Sequence, residues 1–221
     1  MSVRPAAVLF DCDGVLIDSE VTSSHVLAAM LTEGGVPTDG DELRSRMKGA
    51  SLDWIREESM RTLGGSVADP DAWMAEFIAR RLVIYRQGVP QIPGAAEAVA
   101  AVRSAGIPIA VVSQGARSKM AVTLPASGMD AILGDVPVFS GDDVVRGKPH
   151  PDLYLLAAER LGVEPATCVV VEDSVPGVTG ALAAGMRVLG FAADADPARF
   201  EAVGAEVVHD LHQVPALLGL V

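Results

Sequence analysis

The stretch Ala6-Ala7-Val8-Leu9-Phe10-Asp11-Cys12-Asp13-Gly14-Val15 decides the fold. A short unbroken apolar run ends abruptly at two carboxylates and a glycine. Runs of this kind, bounded by turn residues, read as strands buried on both faces, the type found in parallel sheets. Two more runs follow the same pattern. Ile109-Ala110-Val111-Val112 stops at Ser113, and Cys168-Val169-Val170-Val171 stops at Glu172-Asp173. In open α/β sheets, ligands bind outside the carboxyl ends of the strands. The three runs therefore deliver two aspartates, a hydroxyl and an acidic pair to one edge, where the chemistry is expected.

Working outward, the pattern after the first run turns helical. His25 to Leu31 has helical periodicity and stops at Gly34-Gly35. Asp41 to Met47 reads as a short helix. Ser51 fits the N-cap of a helix from Leu52 to Leu63, which Gly64-Gly65 closes. Pro70 suits the first turn of a helix through Trp73, Phe77 and Tyr85. From Val89 onward strands and helices alternate: helices near 95–102, 116–124, 151–161, 176–184 and 196–203, and strands near 107–112, 138–139, 168–172, 188–191 and 207–208. Such alternation predicts a doubly wound, Rossmann-like parallel sheet. The expected fold class is α/β, with residues 1–17 and 88–221 forming the core and 18–87 an inserted all-helical domain.

Half of the 221 residues are apolar, enough for a sizeable core. The net charge of −12 opposes nucleic acid, which demands a basic face, and opposes an anionic membrane surface. No apolar run reaches the ~18 residues of a membrane span. The segment Met1-Ser2-Val3-Arg4-Pro5 leads straight into the first strand, so no signal peptide is expected and a cytoplasmic location is. Cys12 and Cys168 lack metal-site spacing and are expected to be buried thiols.

Several residues at the predicted edge could carry chemistry, and each has a plainer use. Asp11 and Asp13 point the same way if the strand pleat persists through Asp13. Two carboxylates so placed call for a cation or a shared proton, although an Asx turn before Gly14 also fits. Glu172-Asp173 adds acidity that suits a hard, oxygen-loving cation such as magnesium, or caps the next helix. Ser113, followed by Gln114-Gly115 and a helix, makes either an anion site or a simple cap. Lys148, in Gly147-Lys148-Pro149, is one of three lysines and suits a phosphoryl oxygen, or else a solvated loop.

Taken in order, these motifs resemble the haloacid dehalogenase-like hydrolases over essentially the whole chain. Asp11 to Glu20 looks like the first motif of that family, Ser113 the second, Lys148 the third, and Glu172-Asp173-Ser174-x-x-Gly177 the fourth. The resemblance implies a magnesium-dependent phosphatase that forms an aspartyl-phosphate on Asp11, with Asp13 as general acid and base. It implies magnesium held by Asp11, Asp13 through its backbone carbonyl, and Asp173, with Glu172 in or near the shell. It implies that Ser113, Gln114, Lys148 and Cys12 bind the phosphoryl group, the second and last through backbone N–H groups. Dehalogenases of similar fold lack the second acid, so Asp13 favours phosphoryl transfer.

In this family the helical insertion selects the substrate, here expected to be a small sugar phosphate or sugar-acid phosphate. Its candidates are Glu20, His25, Arg44, Arg46, Lys48-Gly49 and Ser51; Arg44, Arg46 and Lys48 also fit a solvated face, and His25 a satisfied core or surface histidine. The chain is similar to sugar-phosphate phosphatases of the 6-phosphogluconate phosphatase type and to β-phosphoglucomutase, the alternative reading. The mutase carries a phosphate-binding arginine three residues beyond the glycine that matches Gly49, and Leu52 stands there instead. The expected assembly is a monomer or weak homodimer.

Overall fold

The structure is a computed structural model and describes residues 4–47, 51–193 and 195–220. The chain divides into two units, one made of Met1–Ile17 with Pro90–Val221 and the other of Asp18–Val89.

The first unit is built on a six-stranded sheet, every adjacent pair parallel, in the order β3-β2-β1-β4-β5-β6. The strands are β1 (Ala7–Phe10), β2 (Ile109–Ser113), β3 (Val138–Ser140), β4 (Cys168–Glu172), β5 (Arg187–Phe191) and β6 (Glu206–Val208). The three long apolar runs become the three central strands, buried along their full lengths. That is how a sheet covered on both faces sorts its residues. Phe10 pairs with Val111 on one side and Val171 on the other. Strand order reverses at β1, so β1 is the switch point at which such sheets open a crevice.

In the second unit, α1 (Ser19–Glu33), α2 (Gly40–Met47), α3 (Leu52–Leu63) and α4 (Pro70–Tyr85) pack around Leu27, Leu31, Leu43, Ile55, Leu63 and Phe77. Ser51 accepts the Trp54 N–H at 3.1 Å and Gly64 closes α3 in the left-handed conformation, both as the sequence predicts. Around the sheet of the first unit lie α5 (Ala95–Ser104), α6 (Arg117–Ser127), α7 (Met129–Leu133), α8 (Asp152–Leu161), α9 (Val175–Ala183), α10 (Ala198–Glu201) and α11 (Val214–Leu217). Tyr154, Leu153, Val178 and Ala181, from α8 and α9, pack against Leu9, Val112 and Val170 of the sheet.

Three local expectations need correction. The first strand ends at Phe10 and does not carry its pleat to Asp13. The chain instead folds into a tight loop: Leu16 and Ile17 donate to the Cys12 carbonyl, Gly14 donates to Ile17, and Gly14 has a φ of +85°. The relation of Asp11 to Asp13 is therefore set by this loop. Secondly, α6 continues through Pro125 to Ser127, where the sequence predicted a stop at Leu124. A proline near a helix end loses one N–H only, and Gly128 collects the carbonyls of Leu124 and Pro125. Thirdly, α7 and α11 were not anticipated; each is a single turn without enough length to show a period. Both cysteines are buried and unbridged, as expected.

Candidate active site

The carboxyl ends of β1, β2 and β4 meet around Lys148. Its ammonium donates to Asp11 Oδ1 at 2.5 Å, to Glu172 Oε2 at 2.7 Å and to the Val112 carbonyl at 3.1 Å. It thereby ties together the three central strands. Its side chain is 5% exposed, so the solvated-loop alternative fails. The loop is set from outside by Gln114, whose Oε1 accepts the Lys148 backbone N–H at 2.8 Å. A Cβ on Gly147 would lie 2.2 Å from that oxygen, and one on Gly141 would lie 2.7 Å from the Gln114 carbonyl. Bare glycine lets Gln114 lie flat against both turns. The Tyr154 ring centroid lies 5.3 Å from the ammonium.

Glu172 is as fully buried as Lys148. Its Oε2 accepts from Lys148 and from the Tyr154 hydroxyl at 2.8 Å. Its Oε1 accepts from the Ser174 N–H at 3.1 Å and the Ser174 hydroxyl at 2.7 Å. Ser174, not the acidic pair, caps α9 by accepting the Gly177 N–H at 3.1 Å. Gly177 must be bare, because a Cβ there would lie 2.0 Å from the Glu172 carboxyl carbon.

Ser113 is buried at the end of β2, and its Oγ accepts the Gly115 N–H at 3.0 Å. A hydroxyl that accepts one N–H still carries a proton to donate. Asp13 lies in the loop after β1, where Lys119 from the first turn of α6 donates to its Oδ1 at 2.7 Å. Cys12, between the two aspartates, is fully buried. Burial, then the Asp13 and Asp11 charges, push its thiol well above the usual range, so it stays neutral.

The electrostatics of the cluster are dominated by crowded carboxylates. Burial, with the Glu172 charge adding to it and Lys148 opposing, raises Asp11 to about 7. Burial opposes the Lys148 charge, but Asp11 and Glu172 outweigh it and hold the ammonium well above the usual lysine range. Burial and Glu172 raise the Tyr154 hydroxyl well above its usual range. Asp11, Asp13, Glu172 and Asp173 face Lys148 and Lys119, an excess of two negative charges. Asp11, Glu172 and Asp173 each offer an oxygen within 4.8 Å of the others. Ligands around magnesium lie roughly 3 to 4 Å apart, so this all-oxygen, doubly negative set fits the ion with little contraction. Gly14 must be bare for Asp173 to lie in this set, because a Cβ there would lie 2.0 Å from Asp173 Oδ2.

The structure thus gathers Asp11, Cys12, Asp13, Ser113, Gln114, Lys148, Glu172 and Asp173 at one sheet edge. Glu20 lies in the first turn of α1, in the helical unit. Lys48 and Gly49 lie outside the described residues. Arg44 pairs with Asp18 at 2.5 Å and Arg46 pairs with Glu58, both part-exposed, in keeping with a solvated face. Lys119 and Tyr154 belong to the cluster and were not singled out in the sequence. The signal for Lys119 was its place at a helix start, where the macrodipole disfavours a cation. Tyr154 carried only its position one turn after Pro151.

The family model for haloacid dehalogenase-like hydrolases matches residues 5–185. The chain is 35% identical over 193 residues to 6-phosphogluconate phosphatase of Escherichia coli (strain K12), covering 86% of this chain and 84% of that protein. Among solved structures it is similar to a haloacid dehalogenase-family hydrolase of Deinococcus radiodurans R1 with bound phosphate and sodium. That pair has a TM-score of 0.82 and 33% identity, covering 99% of this chain and 98% of the other. A candidate β-phosphoglucomutase of Thermotoga maritima gives a TM-score of 0.82 at 28% identity, covering 97% and 99%. Among the described residues, no helix is long and apolar enough to cross a membrane.

Proposed function

The chain belongs to the haloacid dehalogenase-like hydrolases, and within them we propose that it is a magnesium-dependent phosphatase of a small sugar phosphate or sugar-acid phosphate. The observation that carries this reading is Asp11. It is a buried carboxylate at the switch-point strand, held by a lysine and flanked by Glu172 and Asp173 within metal-binding reach.

In the first half-reaction a carboxylate oxygen of Asp11 attacks phosphorus. An O–P bond forms to Asp11 as the ester P–O bond breaks. Asp13 enters protonated and passes its proton to the leaving oxygen, which departs as an alcohol. In the second half-reaction water attacks the aspartyl-phosphate, Asp13 accepts a water proton, and Asp11 is released with inorganic phosphate. Lys148, the Ser113 hydroxyl and the backbone N–H groups of Cys12, Asp13 and Gln114 hold the transferring oxygens. Asp11 and Asp173, with the Asp13 carbonyl, would ligate magnesium. The four hydrogen bonds at Glu172 suit it to a supporting place at the rim of that shell. Bound there, magnesium neutralises the nucleophile and the phosphoryl oxygens.

We assign substrate selection to the helical unit, with Glu20 and Lys48 as its candidates. The likeness to the 6-phosphogluconate phosphatase supports a sugar-acid phosphate. The second reading, a β-phosphoglucomutase-type mutase, draws on the likeness to the Thermotoga protein. Leu52, exposed at the start of α3, counts against it. A mutase must grip a second phosphate, and a leucine cannot.

The test is phosphate release from 6-phosphogluconate and a panel of hexose and hexitol phosphates, with and without magnesium, beside Asp11→Asn. Release that requires both magnesium and Asp11 is expected. No release from any ester, with conversion of β-glucose 1-phosphate to the 6-phosphate, would move the assignment to the mutase.

A further inference from the structure

Asp13 has two oxygens, and the proposed chemistry needs them to differ. One must carry the proton toward the leaving group, and the other must not compete for it. The structure distinguishes them. Lys119 Nζ donates to Oδ1 at 2.7 Å, in an ion pair whose side chains are only 19% and 22% exposed. Oδ2 lies beside the phosphate-binding hydroxyl: a Cβ on Gly115 would lie 3.3 Å from it, 3.2 Å from the Ser113 hydroxyl and 3.8 Å from Lys119 Cδ. Oδ2 and the Ser113 oxygen thus flank one bare patch of backbone. An ammonium is donor only, so the oxygen it touches must accept. In a carboxylic acid the carbonyl oxygen is the better acceptor, so the Lys119 contact at Oδ1 favours the hydrogen on Oδ2. The same contact persists when the acid is ionised, so it serves both half-reactions.

We propose that Lys119 is a positioning residue that fixes the orientation of Asp13, reserving Oδ2 for proton exchange with the leaving oxygen and then with water. This rests on the phosphatase reading above. In the first half-reaction the proton leaves Oδ2 for the departing oxygen as its bond to phosphorus breaks. In the second, a water proton returns to Oδ2 as the new P–O bond forms. Lys119 keeps its own protons throughout. Its place six residues after Ser113 puts it on the same helix start that borders the phosphate site, so one loop orients both the phosphoryl ligand and the acid.

The leaving group reads this role directly. A sugar alcohol leaves poorly without a proton, whereas p-nitrophenol leaves as its anion and gains little from an acid. Because kcat/KM reports events through formation of the aspartyl-phosphate, it isolates the acid step. For Lys119→Met, kcat/KM on the best sugar phosphate of the panel should fall at least about tenfold further than on p-nitrophenyl phosphate, within the range that general acids contribute. Lys119→Arg, which keeps a donor, should recover most of that difference. Equal losses on both esters would overturn the assignment, since a substrate contact or a packing role lowers both alike. Turnover of p-nitrophenyl phosphate serves as the folding control within the same assay. No release from either ester by the wild-type protein would overturn the phosphatase reading and the assignment together.

Discussion

Gly177→Ala sets two physical effects against each other, and the structure says which wins. Gly177 lies in the first turn of α9 with an ordinary helical φ, so a methyl there should help. Alanine gains up to about 1 kcal/mol over glycine in a helix. The new Cβ, however, would lie 2.0 Å from the Glu172 carboxyl carbon and 2.1 Å from Oε2. Carbon atoms rest roughly 3.5 to 4.0 Å apart, so the carboxylate must retreat by about 1.5 Å. Its hydrogen bonds span 2.7 to 3.1 Å, and a shift of that size takes at least two beyond bonding range. Bonds to a charged group are worth about 1.5–3 kcal/mol each, so the loss is about 3–6 kcal/mol. The net destabilisation is then about 2–5 kcal/mol, a large share of the 5–15 kcal/mol typical of a domain. Urea denaturation at fixed pH, without magnesium, measures it as a lower midpoint at unchanged slope. The decisive comparison is the same substitution beside Glu172→Ala. With the carboxylate gone the methyl has room, and the cost should vanish or become a gain of up to about 1 kcal/mol. A Gly177→Ala protein as stable as wild type, or a cost unchanged by removing Glu172, would refute the reasoning.

Magnesium affinity should depend on pH through Asp11. With its folded pKa near 7, the carboxyl holds a proton at pH 5 to 6 that the metal must displace. Affinity should rise by up to about tenfold per pH unit and level off above 7. Titration calorimetry at pH 5.5, 6.5 and 8 checks this, and a flat profile would exclude Asp11 as a ligand. The same shift has a stability sign: an acid whose folded pKa is raised stabilises least when ionised. The metal-free protein should therefore lose stability as pH rises from about 4 through 7, and magnesium should restore more of it at pH 8 than at pH 5.5. Gln114→Ala removes the acceptor for the Lys148 N–H and opens space against Gly147 and Gly141. Without that brace, KM and the inhibition constant for inorganic phosphate should rise together by about tenfold, the worth of one hydrogen bond. A change confined to kcat would show that Gln114 does not act through phosphate binding.

The parts of this protein that were legible in its sequence are those written locally. Val8 to Phe10, Ile109 to Val112 and Val169 to Val171 announce buried parallel strands because such strands have no polar face to hide. Ser51 and Gly64 mark the ends of α3 because caps are satisfied within a few residues. Asp11, Ser113, Lys148 and Glu172 stood out because each ends or follows such a run. What stayed hidden depends on neighbours distant in the chain. Lys119 meets Asp13 across 106 residues, and Tyr154 meets Glu172 across the β4 crossover, with no local pattern to announce either. The loop from Cys12 to Ile17 bends the chain where period-two alternation would have carried on. The burial of Lys148 was equally invisible, because a Gly-Lys-Pro string looks the same in water as in a core.

The bridge at Ile17 has a topological consequence. Ile17 pairs with Gln91, and the Ile92 N–H donates to the Leu16 carbonyl at 3.1 Å. The chain thus clasps itself at the point where the helical unit begins and ends. To the sheet, residues 18–89 amount to a loop whose two ends this clasp holds together. Entropy opposes this closure only weakly as the loop lengthens, since each doubling of a loop costs about 0.6 kcal/mol. The insertion can therefore grow, shrink or be exchanged for another with little effect on strand pairing. A fold wired this way can change what it recognises without relearning how to assemble its catalytic edge.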